Sequence, residues 1–124
     1  MRLWHFQMPL ETVPVLADLL ANHAGAESAV LRPEWGECRI ETILAGRATA
    51  GSPLVTHERL LLFEDFPQAD ICRFIDAYHL RRLPEPIWAA VTPVSRSWRF
   101  VELLRELVRE RESLRRQPPD PELT

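Results

Sequence analysis

The stretch Ile87–Leu114, IWAAVTPVSRSWRFVELLRELVRERESL, restricts the possible folds of this chain more than any other part of it. Its first five residues are apolar and lie between Pro84 and Pro86 on one side and Thr92-Pro93 on the other, a run too short for a helix and suited to a strand with both faces covered. Pro93 has no N–H to give a sheet ladder and holds Thr92 extended, so the strand should stop there. Ser95 or Ser97 can accept from the free amides of the next turn, which predicts a helix beginning near Trp98. Phe100, Leu103, Leu104, Leu107, Val108 and Leu114 recur at steps of three and four and form one apolar stripe that needs a core. Glu102 with Arg105, Glu106 with Arg109, and Glu112 with Arg115 or Arg116 stand three or four apart on the outer face, each pair contributing about 0.3 kcal/mol.

From the start of the chain, Leu3–Phe6 reads as a short strand ended by Pro9. Residues 10–24 carry Val13, Leu16, Leu19 and Leu20 at helical spacing, with Thr12 as a cap, Pro14 in the first turn and Gly25 as the stop. Ala29–Leu31 reads as a second strand before Pro33, with a turn at Trp35-Gly36. Ile40, Ile43 and Leu44 predict a short helix ended by Gly46 in the left-handed region. Residues 47–57, with Gly51-Ser52-Pro53, read as a loop. Arg59–Phe63 is a strongly apolar strand. Asp65 and Pro67 predict a helix start, and Ile71, Cys72, Ile75, Tyr78 and His79 carry that helix to about Leu80. Residues 1–114 are expected to form one domain, and 115–124, ending QPPDPELT, a Pro-rich disordered tail.

Strand-helix-strand, a short helix and loop, then strand-helix-strand and a long helix fit an α+β fold with a ferredoxin-like split strand-helix-strand repeat. The sheet would have four strands. The short helix at Ile43 and the long C-terminal helix are additions that can cover its second face, which accounts for strands apolar on both sides. A small parallel three-layer sheet ranks second, because the connection from Leu31 to Arg59 holds only one short helix.

The chain has 124 residues, enough for one core, with 46% hydrophobic and 27% charged residues. All fifteen basic residues are Arg, and the net charge of −3 gives no overall attraction to nucleic acid or an anionic membrane. RLLLF offers only Phe63 where RNA-binding sheets present several aromatics, so nucleic acid is rejected as a partner. The start MRLWHFQMP is not a secretory leader and no apolar run approaches the length of a membrane span, so a cytoplasmic location is expected.

His5, His23, His57 and His79 have no short metal-ligand spacing, Cys38 and Cys72 stand alone, and no metal or cofactor is expected. Cys72 fits a buried inert thiol better than a nucleophile. Thr92, Ser95 and Ser97 lie in a turn before a helix, where free amides and hydroxyls could hold an anion, although capping is the plainer explanation of the serines. Trp35, Trp98 and Leu107 are candidates for an interaction surface, with Trp35 expected to be partly exposed and Trp88 to lie in the core.

The run Ala89-Ala90-Val91-Thr92-Pro93-Val94-Ser95-Arg96-Ser97-Trp98, followed by Glu102-Leu103-Leu104, resembles the signature of a bacterial family known as domain of unknown function 3783. Members carry an apolar strand ending Thr-Pro-Thr-Asn, two variable residues, a Trp and a helix. This chain has Thr92, Pro93 and Trp98 at that spacing, and Val94 and Ser95 where the family favours Thr and Asn. Arg59–Leu80 fits the family's preceding strand and helix. The resemblance implies an architecture and no catalytic residues. With no catalytic set in sight, the expected function is a non-enzymatic protein-interaction or ligand-sensing module, with a homodimer or another protein as partner. A small enzyme or anion-binding protein using the Thr92–Ser97 turn is the alternative.

Overall fold

The computed structural model describes residues 1–116. In chain order these form β1 (Arg2–Phe6), α1 (Val13–Leu20), β2 (Glu27–Val30), a 3-10 turn at Pro33–Trp35, α2 (Ile40–Leu44), β3 (Leu60–Glu64), α3 (Gln68–Leu80), β4 (Ile87–Ala90), a 3-10 turn at Ser95–Ser97 and α4 (Phe100–Arg116). The expected tail, from residue 117 onward, lies outside the described residues.

The sheet has the order β2-β1-β3-β4. β1 pairs with β2 in parallel, β3 with β4 in parallel, and β1 with β3 antiparallel, so two strand-helix-strand units lie side by side. The mixed α+β class and the four strands are as expected, but the ferredoxin-like arrangement is not. That arrangement requires a strand from the other unit between the two parallel strands, whereas here each pair is in direct contact.

Period-two alternation along the central strands builds two cores. Trp4, Phe6, Leu60 and Leu62 point to one face and meet Ile40, Ile43 and Leu44 of α2 with Phe100, Leu103 and Leu104 of α4. Leu3, Leu61 and Phe63 point to the other and meet Leu16, Leu19 and Leu20 of α1 with Phe74 and Tyr78 of α3. The short helix and α4 therefore do cover the second face, and β3 is buried along its whole length. Each fully buried Leu or Phe contributes roughly 1.5–3 kcal/mol, so the double layer supplies most of the driving force for folding.

β4 is an edge strand. Ile87 is buried, but Trp88 and Ala89 are half-buried and Ala90 is exposed, so the expected cover on both faces is absent. Trp88 still packs on the second core, stacked on Phe63 at 6.0 Å. α4 begins at Phe100 and not at Trp98, and Glu102 Oε1 accepts from Arg99 N–H at 3.1 Å, taking up one of the free amides at the helix start. Glu102 thus pairs with Arg99 instead of Arg105, while the Glu106–Arg109 and Glu112–Arg115 pairs form as expected. Asp65 does not cap α3: its φ is +58°, left-handed, and the helix follows Pro67 with no side-chain cap. Cys72 is exposed on α3, not buried. Gly46, with φ +73°, ends α2 in the left-handed region that the sequence requires.

Candidate functional site

Residues 45–58 leave α2, fold back along the α4 side of the sheet and enter β3. Two backbone bonds fasten this linker to the turn after β2: Gly51 N–H donates to Glu34 O at 2.8 Å and Leu54 N–H to Pro33 O at 2.9 Å. A Cβ at Gly36 would stand 3.2 Å from Leu54 Cδ1, so the linker side chain packs tightly on this glycine. At the far end Gln7 Nε2 donates to Thr56 O at 2.7 Å and Glu58 O at 2.8 Å. Gln7 sits at φ +56°, which costs an ordinary residue roughly 1–2 kcal/mol, and its two amide bonds offset part of that cost. Arg111 of α4 grips Glu58 through both guanidinium nitrogens, at 2.5 and 2.7 Å. This pairing holds the Glu58 carboxyl below the usual carboxylate range and raises the Arg111 guanidinium further.

Between the fastened linker and α4 runs an open cleft of about 520 Å³. Val101, Leu104 and Val108 line its helical wall at the three- and four-residue spacing of a single face, with Leu54 opposite and Glu37, Glu58 and Arg105 among its charged lining residues. Glu37 is held by Arg99 and Glu58 by Arg111; among the described residues Arg105 has no carboxylate partner.

Thr92, Ser95 and Ser97 come together in one turn, and each is engaged within it. Thr92 N–H donates to Ser95 Oγ at 2.9 Å, Ser95 N–H to Thr92 Oγ1 at 3.0 Å, and Ser97 Oγ–H to Val94 O at 3.0 Å. Ser95 is buried, while Thr92 and Ser97 are exposed. Trp98 and Leu107 meet beside the β4 edge in a smaller hollow of about 270 Å³. Trp35 lies on the other unit, half-buried as expected. All three pack against the first core.

Two polar clusters escaped the sequence reading because their members are far apart in the chain. Glu64, buried at the end of β3, accepts from Arg2 Nε at 2.8 Å and from the Trp4 indole at 2.9 Å, while Arg2 also donates to Leu44 O and stacks over Trp4 at 5.0 Å. His23 Nδ1 lies 2.9 Å from Asp70 Oδ1 between α1 and α3, and its ring packs near Phe66 and Phe74. Bonds from His23 and then Arg73 hold the Asp70 carboxyl below its ordinary value. Burial pushes His5 down. No hydroxyl or thiol is hydrogen-bonded to any of the four histidines among the described residues, and no group of three or more His, Cys, Asp or Glu there could hold a metal ion.

A small mixed α/β domain of paired strand-helix-strand units, with a side cleft, is what the fold and site define. Within it, residues 59–114 match the model of the family described as Domain of unknown function (DUF3783). The resemblance carried by Thr92, Pro93 and Trp98 thus holds across β3, α3, β4 and most of α4. No curated protein and no solved structure matches the chain. No helix among the described residues is long and apolar enough to cross a membrane.

Proposed function

We propose that this protein is a non-catalytic binding module that takes a small, largely apolar ligand, or an apolar segment of a partner protein, in the cleft between the 45–58 linker and α4. The observation carrying this reading is a cleft of ligand-pocket size whose linker wall is fastened at both ends. A wall already ordered in the free protein loses little entropy when a ligand arrives. The Thr92–Ser97 turn supports the alternative of an anion site less well, since its hydroxyls and two of its amides already bond to one another.

A thermal-shift screen against amphipathic small molecules, alongside phosphorylated and carboxylated metabolites, separates the two readings. The cleft reading expects stabilisation that disappears in Val108→Arg and survives in Ser95→Ala. Stabilisation lost in Ser95→Ala alone would move the site to the turn, and no shift with any compound would count against a small ligand.

A further inference from the structure

The two units share more than an order of elements. A shift of 58 carries Arg2 onto Leu60 and Phe6 onto Glu64, the ends of β1 and β3, and superposes the left-handed Gln7 and Asp65 and then Pro9 and Pro67. A shift of 60 carries β2 (Glu27–Val30) onto β4 (Ile87–Ala90), Pro33 onto Pro93, and Ile40 at the start of α2 onto Phe100 at the start of α4. The pairing inside each unit obeys the same shifts. Arg2 faces Glu27 as Leu60 faces Ile87, and Leu31 N–H donates to His5 O as Val91 N–H donates to Phe63 O, both at 2.8 Å.

Where the units meet, both junctions are centred on equivalent residues. In the antiparallel β1/β3 register Trp4 stands opposite Leu62, its own counterpart. In the isolated bridge before α2 and α4, Arg39 stands opposite Arg99, again its counterpart, flanked by Ile40 N–H to Trp98 O and Phe100 N–H to Cys38 O, both at 2.9 Å. A residue meeting its own equivalent at two separate contacts is what a two-fold axis produces, because such an interface uses the same patch on both sides.

We propose that residues 1–44 are a second, diverged copy of the unit matched by the family at 59–114, and that the patch of that unit around Leu62 and Arg99 is a self-pairing surface whose partner is another copy of the same unit. This chain carries both copies. The match over residues 59–114 covers only the second. Of two symmetry-related pairs across the β1/β3 seam, one is the apolar Phe6–Leu60 and the other is Arg2–Glu64. A buried carboxylate in the second copy with its cation in the first favours pairing of unlike copies within the chain over pairing of like copies between chains.

The test builds the like pair within one chain. Residues 1–44 are replaced by a second copy of 59–104, the 45–58 linker and 59–116 are kept, and Glu64→Phe is introduced in both copies because Arg2 is gone. Arg99→Cys in both copies, with Cys72→Ser, then reads the register: opposed residues with no mutual backbone bonds in an antiparallel pair lie about 4.5 Å apart at Cα, within disulfide range. A monomer that unfolds in one cooperative step and forms the cross-link is the expected result. A folded chain without the cross-link overturns the proposal. If that chain does not fold, a reordered chain (59–104, then 45–58, then 1–44, then 105–116) decides which part falls, since it keeps the Arg2–Glu64 pair and exchanges only the segments that follow Leu44 and Leu104, the latter being the remainder of α4. Folding of the reordered chain alone refutes the self-pairing surface, and failure of both refutes the duplication as well.

Discussion

Glu64 is the residue on which most depends. Its carboxylate is buried at the seam and satisfies both the Arg2 guanidinium and the Trp4 indole. Glu64→Ala leaves the buried Trp4 N–H without an acceptor and should lower stability by about 2 kcal/mol; urea denaturation measures it, and a loss under about 0.5 kcal/mol, the range of ordinary surface changes, would contradict this role. Protonation acts at the same scale. His5 titrates below its ordinary 6.5 because burial disfavours its charged form, so the folded chain binds that proton less readily than the unfolded one. Its contribution is complete above pH 6.5 and declines as pH falls toward the lowered value. Glu58 and Glu102, lowered from 4.5 by Arg111 and Arg99, and Asp70, lowered from 3.8 by His23 and Arg73, add a second decline beginning below those values. A melting profile across pH should therefore fall in two stages, with the upper stage removed in His5→Gln. A profile flat from pH 7 to pH 5 would refute the assignment to His5. Arg73–Asp70 and Arg99–Glu102 stand three apart in the chain, but the partnerships of Arg2 with Glu64, His23 with Asp70 and Arg111 with Glu58 were not visible in the sequence, because only the tertiary fold brings them together.

Elements were more legible than their neighbours. Every strand and helix is present near its expected place because periodicity of two or near 3.6 is a local property of the chain. Burial of RLLLF on both faces was also legible, since a run of bulky apolar residues is stable only with cover on each side. IWAAV misled because alanine has little surface to hide, so an apolar run containing two of them also suits an edge. Strand order misled for a different reason: split and direct strand-helix-strand units have the same pattern of residues, and pairing across the sheet decides between them. The cleft was missed because its linker wall reads only as a loop, with nothing local to say that Leu54 meets α4. Arg111→Ala should release that wall at the Glu58 end, at a cost of about 1 kcal/mol for a partly exposed pair, and raise hydrogen exchange at residues 56–58 while α4 stays protected. Unchanged exchange there would show that Gln7 suffices to hold this end of the linker. Leu103→Ala, in the core between α4 and the sheet, should cost about 3 kcal/mol, clearly more than Leu114→Ala at an exposed position.

For the whole molecule, the repeated spacing of Pro33 with Pro93 and Arg39 with Arg99 is present in the sequence but faint, since few side chains are identical between the halves. The paired units also recast the question of self-association. Leu107 packs against the chain's own core, so its replacement by Arg would harm the fold itself, whereas Leu114 is exposed and makes a clean probe. If α4 mediates a homodimer, sedimentation should give a dimer mass that falls to the monomer in Leu114→Arg; a monomer at every concentration would remove that partner. The central claim is that two strand-helix-strand units meet about a common axis through the 4/62 and 39/99 pairs. Arg39→Cys with Arg99→Cys, in a chain also carrying Cys38→Ser and Cys72→Ser, tests it most directly by mass spectrometry after mild oxidation. The account predicts a single intramolecular disulfide in a chain that melts at a higher temperature than its reduced form. Two free thiols, or a disulfide formed only between chains, would contradict it.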